Sequence, residues 1–284
     1  MEKIIGLGRL GCSIAEQLTA YPEYRVYKIS SEIEERGSLS IGKHNDIKEY
    51  EENLNTGEVE VYLRSIKDDD QVLLIVEGGD PVIGSCLKIL EVIKHSKLSV
   101  LYVCPDREMI SEAQRRDDKI CFSVLQEYAR SGVFEKIVLV SKPAVEGLVG
   151  DVPLDEYEDS ISYFVSYIVA MTNYFLHTDT ILESKIQPSD TARIITYGIS
   201  SLEEDKDSTK FLFPLGDVRD LHIFYGVPEK ELASDSSLVK KIKDHTRSHK
   251  SDENAISFSV HSTTLENLLI ICCAFSSKIQ PLSK

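Results

Sequence analysis

The sequence predicts an α/β fold: a parallel sheet covered on both faces, a long central core helix, and then a smaller α+β domain. Three observations carry that prediction. Over the first half of the chain, short continuously apolar runs alternate with helix-like segments, and strands of that kind are buried on both faces of a parallel sheet. One later run, Ile161–Leu176, is too long for a strand and apolar on nearly every side, which places it inside the protein as a helix. Beyond it, strand-like runs crowd together with little helix between them.

Taken in order, Lys3–Gly6 is a short strand, and Gly8–Leu18 continues as turn and helix. Arg25–Ile29 is a second strand. Residues 31–57 are polar and glycine-studded, which fits a loop with short helical pieces such as Lys48–Leu54, and Val59–Ile66 fits either a strand or a helix. Val72–Val76 is a buried strand, Glu77–Pro81 a tight turn, and an amphipathic helix runs from about Val82 to Lys94. Leu98–Val103 is the next strand and Glu108–Ser131 a long helix stopped by Gly132, followed by the strand Lys136–Val140. The long helix covers Tyr157–His177. Past it, Thr191–Tyr197, Leu221–Tyr225, Ile256–His261 and Leu268–Phe275 read as strands around a helix near Leu238–Thr246, and Glu203–Asp207 reads as a charged loop.

Bulk properties narrow the function. The formal net charge of −15 argues against a general nucleic-acid or anionic-membrane surface, though not against a small phosphate ligand held by backbone amides. The six cysteines form no CxxC pair and mostly sit in apolar runs, as reduced core thiols do. Ile161–Leu176 falls short of the ~20 residues that span a bilayer. With a strand beginning almost at the first residue, no signal peptide is visible, and the expectation is a cytoplasmic protein.

Two stretches carry the chemistry. Gly6-Leu-Gly8-Arg-Leu-Gly11 fits GxGxxG directly after a strand, where the glycines allow a tight turn, close approach to phosphate and close helix–strand packing. Gly78-Gly79 ends a second strand and opens onto a second helix, and unpaired amides at a helix start favour an anion. The commoner role of such a glycine pair is only a tight connection. Taken alone, the first motif suggests an NAD(P)-dependent oxidoreductase. That reading wants an acid at the end of the second strand, whereas Glu32 arrives late, and it leaves the second turn without a task.

The order of these segments resembles the tubulin/FtsZ superfamily, as a divergent prokaryotic or viral tubulin-like protein. GLGRLGCS (Gly6–Ser13) resembles the family's first phosphate loop, and VEGGDPVIGSCLKILEVIK (Val76–Lys94) stands where the family has its glycine-rich signature. VLYVCPD (Val100–Asp106) resembles the segment that reaches the ribose. Lys136–Pro143 stands where a loop meets the base, Ile161–Leu176 matches the central helix, and Ile186–Arg193 falls at the loop that completes the neighbouring subunit's catalytic site. The resemblance spans nearly the whole chain. It implies a Rossmann-like parallel-sheet nucleotide domain over 1–156, the central core helix over 157–182 and a C-terminal α+β domain over 183–284.

The same resemblance implies a nucleotide site of Gly6, Gly8, Arg9, Leu10, Gly11, Cys12, Gly78, Gly79, Asp80, Pro81, Gly84, Ser85, Glu112, Arg116, Lys142 and Ser162, with Gln187 and Asp190 in the catalytic loop. The cofactor implied is GTP or GDP, with Mg2+ through the phosphates. Departures from the family pattern bear on activity. Asp80 and Pro81 replace a glycine and a threonine, so a negative charge stands where the family places a phosphate. With Asp190 on the last acid of the catalytic pattern, Gln187 falls on the middle acid and Lys185 on its Asn, while a shift of one residue would bring in Ser189; Glu183 is a nearby carboxylate. Ser141-Lys142 replaces the base-reading Asn, and Tyr157 is a further candidate at the base.

The expectation is therefore a cytoskeletal protein that binds a guanine nucleotide and self-associates head-to-tail into filaments, with GTPase activity weak or lost. The alternative is a catalytically inactive scaffolding or binding subunit. Self-association is the partner expected, an adaptor protein is compatible, and neither a membrane nor direct nucleic-acid binding is indicated. Three further features have plain readings: His245 and His249 as a solvated helix end rather than metal ligands, Lys240–Lys250 as a charged helix face, and Arg115-Arg116 as surface pairing or a contact to the nucleotide.

Overall fold

The computed structural model describes residues 2–32, 36–186, 188–202, 209–251 and 254–282. The chain divides into two compact units, one of Met1–Tyr167 with Pro281–Lys284 and one of Ile168–Gln280. The expected charged loop Glu203–Asp207 lies outside the described residues.

The first unit is built from β1 (Glu2–Leu7), α1 (Gly8–Gln17), β2 (Tyr24–Ser30), β3 (Leu39–Ser40), α2 (Ile47–Asn53), α3 (Thr56–Leu63), β4 (Gln71–Glu77), α4 (Cys86–Val92), β5 (Lys97–Cys104), α5 (Glu112–Ser131), β6 (Lys136–Ser141) and α6 (Lys142–Val149). Its strands lie in the order β3-β2-β1-β4-β5-β6, and every pair is parallel. Val72 to Val76 are all buried, as the unbroken apolar run requires of a central strand. The ambiguous Val59–Ile66 is largely helical in α3, because Asn55 caps its start by accepting from the Glu58 amide.

Two helix starts in this unit differ from expectation. α5 starts at Glu112 rather than Glu108, where Ser111 and Gln114 form a reciprocal capping box. It stops at Gly132 in the left-handed region (φ 80), as expected. The helix expected from Val82 begins instead as a 3-10 turn, Pro81–Ser85, and only then becomes α4. A further helix, α6, follows β6 directly with Pro143 in its first turn, where a proline costs no hydrogen bond.

The long helix α7 (Tyr157–His177) has the expected bounds. It is not buried all round: Tyr163 is 59% exposed and Leu176 56%. Its buried stripe runs through Ile161, Val165, Ile168 and Phe175.

The second unit contains β7 (Leu182–Glu183), β8 (Ile194–Ser200), β9 (Lys210–Phe211), β10 (Asp220–Pro228), α8 (Glu229–Ser234), α9 (Leu238–Ser248), β11 (Ala255–Thr263) and β12 (Leu269–Ser276). Strand order is β8-β12-β10-β11-β7, with β9 on β8. β12 is antiparallel to both β8 and β10, whereas β11 is parallel to β10. Every residue of β10 is buried, and Leu221, Ile223, Tyr225 and Val227 form one core with Leu238 and Ile242 of α9. All six cysteines are free thiols; five are buried and Cys121 is partly so. No helix among the described residues is long and apolar enough to cross a membrane.

Candidate functional site

The first glycine turn is a packing device as much as a loop. A Cβ on Gly6 would lie 2.7 Å from Cys12 Cα, and one on Gly11 would lie 2.5 Å from the Ile75 carbonyl oxygen. Both glycines let α1 press onto β1 and β4, and Cys12 seals the contact by donating from Sγ to the Gly6 carbonyl at 3.2 Å. Leu10 and Cys12 are buried there. Gly8 alone has the left-handed backbone (φ +77) that turns the strand into the helix. The residue before α1, Leu7, offers no side-chain cap to its first amides.

At the second turn, Gly78 donates to the Val103 carbonyl at 2.9 Å, and a Cβ there would overlap Tyr102 and Asp118. Gly79 (φ +75) has its carbonyl bound by Gln114 Nε2 at 3.1 Å. Asp80 then caps the 3-10 turn, its Oδ1 accepting from the Val82 amide at 3.0 Å while Pro81 supplies the fixed φ at the first position. Gly84 lies against the Ile47 backbone of α2, and the buried Ser85 hydroxyl reaches the Tyr50 carbonyl at 3.5 Å. The close packing around Gly84 and Ser85 accounts for both residues without a ligand.

The two turns converge. A Cβ on Gly8 would stand 2.9 Å from Asp80 Oδ2 and 2.7 Å from Val82 Cγ1. The side chain at the meeting point is therefore a carboxylate. Burial raises the Asp80 pKa and Glu32 adds to the rise, while the Val82 amide and the charge and amide of Arg9 favour its ionised form. Arg9 itself is exposed and pairs with Glu158 at 2.8 Å.

Beside the turns lies a cleft lined by Glu77, Asp106, Lys142, Glu146, Asp151 and Tyr157, with Pro105 and Ile110 on its apolar wall. Lys142 Nζ lies 3.7 Å from Glu77 Oε1 and 5.7 Å from the Tyr157 ring centre, and the Tyr157 hydroxyl donates to Glu146. Burial raises the Glu77 pKa against the pull of Lys142, and Asp80 raises it further. Carboxylates thus outnumber cations along this cleft. An ionised Asp80 in such a field disfavours a polyphosphate, since like charges at close range repel.

Glu112, Arg116 and Ser162 do not line this cleft. Glu112 and Arg116 are exposed on the first turns of α5, and Arg115 Nε donates to the Ile110 carbonyl at 3.2 Å. Ser162 on α7 is fully buried, and its hydroxyl has no partner among the described residues. In the second unit, Asp190 is exposed in a turn whose carbonyl accepts from Arg193 Nε at 3.2 Å, and the Ser189 amide donates to Asp220 Oδ2 at 3.2 Å. Lys185 and Glu183 are exposed; Gln187 lies outside the described residues.

His245 is not part of a solvated helix end. It is buried, its Nδ1 faces the Tyr225 hydroxyl at 2.7 Å and its Nε2 the Ser200 hydroxyl at 3.0 Å, while His249 Nε2 faces Thr209 at 2.9 Å. Both imidazoles are occupied by protein hydroxyls, and among the described residues no group of three His, Cys, Asp or Glu is placed to hold a metal.

Sequence reasoning missed the buried group behind Gly78. The Tyr102 hydroxyl donates to Asp118 Oδ1 at 2.7 Å, and Arg107 Nη1 donates to Oδ2 at 2.9 Å. One signal was available: Asp118 stands one helical turn before Phe122 and two before Leu125, on the buried stripe of α5. It missed Glu77 and Glu146 as well, which carry no motif.

No protein-family model matches the sequence, and no curated protein matches it. Solved structures match over nearly its whole length. FtsZ from M. jannaschii, an empty dimer, superposes with a TM-score of 0.69 at 14% identity over 96% of this chain and 87% of that one. CetZ2 from Haloferax volcanii, a GTPγS-bound protofilament, gives 0.69 at 12% over 97% and 93%. TubZ from Bacillus thuringiensis serovar israelensis, a GTPγS-form protofilament, gives 0.71 at 12% over 99% and 88%. These likenesses establish the fold: the chain is a divergent protein of the tubulin/FtsZ fold.

Proposed function

We propose that this protein is a tubulin/FtsZ-like cytoskeletal subunit that self-associates head-to-tail into filaments, with hydrolysis of guanine nucleotide weak or lost. The observation that carries the reading is the extent of the structural likeness: proteins solved as protofilaments, and a TubZ two-stranded filament, align with 97 to 99% of the chain. A head-to-tail contact joins two different surfaces of the subunit, so it propagates rather than closing on itself. The weak-hydrolysis part rests on Asp80 at the junction of the glycine turns and on a loop that supplies Gln187 where the family pattern has an acid.

Pelleting and negative-stain imaging test the assembly, with GTP, GDP and no nucleotide as parallel conditions. Concentration-dependent polymer in any condition is the expected outcome, and its absence in all of them counts against the reading.

A second reading, a guanine-nucleotide switch with Mg2+ held through the phosphates, draws on the convergence of the two glycine turns beside an open cleft. Here Gly8, Gly79 and Lys142 would be the residues nearest the ligand. Phosphate release above background by the purified protein, abolished by Gly79→Val, would favour it over the scaffold.

A further inference from the structure

The point where the two glycine turns meet is already occupied by an anion belonging to the chain. Asp80 Oδ1 is held by the Val82 amide at 3.0 Å, the Arg9 amide also favours its ionised form, and a Cβ built on Gly8 would stand only 2.9 Å from Oδ2. Both turns thereby present their backbone to a carboxylate. A glycine-lined turn at a helix start gathers amides around negative charge, and a capping Asp answers that demand with a single residue. The rest of the surroundings would add to the repulsion of a second anion: Glu77 on one side, Glu158 beyond Arg9, and Asp106, Glu146 and Asp151 along the cleft. Among the described residues, Arg9 and Lys142 are the cations acting on Glu77 and Asp80, and each is already engaged with a carboxylate, Glu158 and Glu77 respectively.

We propose that Asp80 is the specificity-determining residue of this cleft, a built-in carboxylate that takes the place of a ligand phosphate, so that the site rejects nucleoside di- and triphosphates and the subunit associates without them. The proposal rests on the tubulin-like reading above only in its choice of GTP and GDP as probes and of polymer as a readout. It differs from a regulatory lid in that nothing need move: the exclusion is set by charge and by a cap geometry that the 3-10 turn itself requires. Two substitutions separate those contributions. Asp80→Gly removes the side chain and opens the space over Gly8, whereas Asp80→Asn keeps an oxygen to accept from the Val82 amide and removes only the charge.

The test is equilibrium binding of GTP and GDP, with Mg2+ present, to the full chain and to both variants, each first shown to unfold cooperatively. The expected result is no saturable binding by the native chain, and an affinity at least ~10-fold higher for Asp80→Gly, with Asp80→Asn between the two. Saturable binding by the native chain as tight as that of the variants overturns the proposal, as does a folded Asp80→Asn and Asp80→Gly pair that still fails to bind. Pelleting of the native chain after removal of nucleotide is the second arm. Polymer that forms only when GTP is added overturns the exclusion while leaving filament assembly intact. Polymer formed without nucleotide supports the exclusion. If no polymer forms under any condition, it is the assembly reading that fails, and the binding comparison still decides the role of Asp80.

Discussion

The Tyr102 hydroxyl and Asp118 Oδ1 meet at 2.7 Å directly behind Gly78, with both residues fully buried. Arg107 completes the group by donating to the other Asp118 oxygen at 2.9 Å. Gly78 therefore rests on a polar group joining β5 to α5, while Gly79 beside it faces Pro105 and Ile110. Burial raises the Asp118 pKa, and the Tyr102 hydroxyl and the Arg107 charge oppose that rise.

Removing the carboxylate should expose how much depends on it. Asp118→Ala leaves the Tyr102 hydroxyl only its weaker acceptor, the residue-118 carbonyl at 3.3 Å, and leaves Arg107 without its counter-charge. Breaking a buried pair from one side costs about 3–5 kcal/mol. Urea denaturation at neutral pH should show a loss of that order. A loss within about 0.5 kcal/mol, the range of ordinary surface substitutions, would mean the group is not structural.

The glycines of the two turns should sort by what a methyl group would strike. Gly6→Ala and Gly11→Ala each drive a Cβ into backbone, 2.7 Å from Cys12 Cα and 2.5 Å from the Ile75 oxygen. Backbone there cannot yield without separating α1 from β1 and β4, so each should cost about 1–3 kcal/mol or more. Gly147 lies in α6, and a methyl group added there would meet no atom within 4 Å, so Gly147→Ala should stabilise by about 0.5–1 kcal/mol. Thermal midpoints of the three variants check the order, and a stabilised Gly6→Ala would contradict the packing described.

What could be read from the residues followed from how local the cause was. β1, β4, β5 and β6 were legible because a buried parallel strand must be continuously apolar. The bounds of α7 were legible because its run is too long for anything else. Its exposed Tyr163 and Leu176 were not, because an all-round apolar pattern has no empty face to mark solvent. α6 was missed because Lys142-Pro143 after a strand looks like a loop, although proline in a first turn is equally consistent with a helix start. At the site, the convergence of the glycine turns could be anticipated from two strand–glycine–helix segments. That Asp80 caps Val82 while facing Gly8, and that Glu77 and Glu146 share a cleft with Lys142, depends on contacts between elements distant in sequence.

The second unit should be acid-sensitive through its histidines. Burial and a neighbouring histidine lower the pKa of His222 from 6.5 to about 4, and the same causes bring His245 to about 4. His222 lies between the Ser257 and Ser259 hydroxyls, at 2.7 and 3.1 Å, and Ser259 also faces His261 Nε2 at 2.9 Å, so among the described residues a charged imidazole there has no carboxylate within its hydrogen bonds. An unfolded histidine takes up a proton below about pH 6.5, whereas these two resist it until about pH 4. Between those limits the unfolded state binds more protons, so stability rises with pH and is lost as pH falls through the window. Glu77, Asp80 and Asp118 act with the opposite sign, because burial raises their folded pKa and acid relieves a buried charge. The histidine contribution is therefore isolated by comparison. His222→Gln keeps a polar side chain near the serines and removes the titration, so its unfolding free energy should change less than that of the native chain between about pH 6.5 and about pH 4.5. Identical pH dependence in the two proteins would show that His222 does not titrate across the unfolding transition.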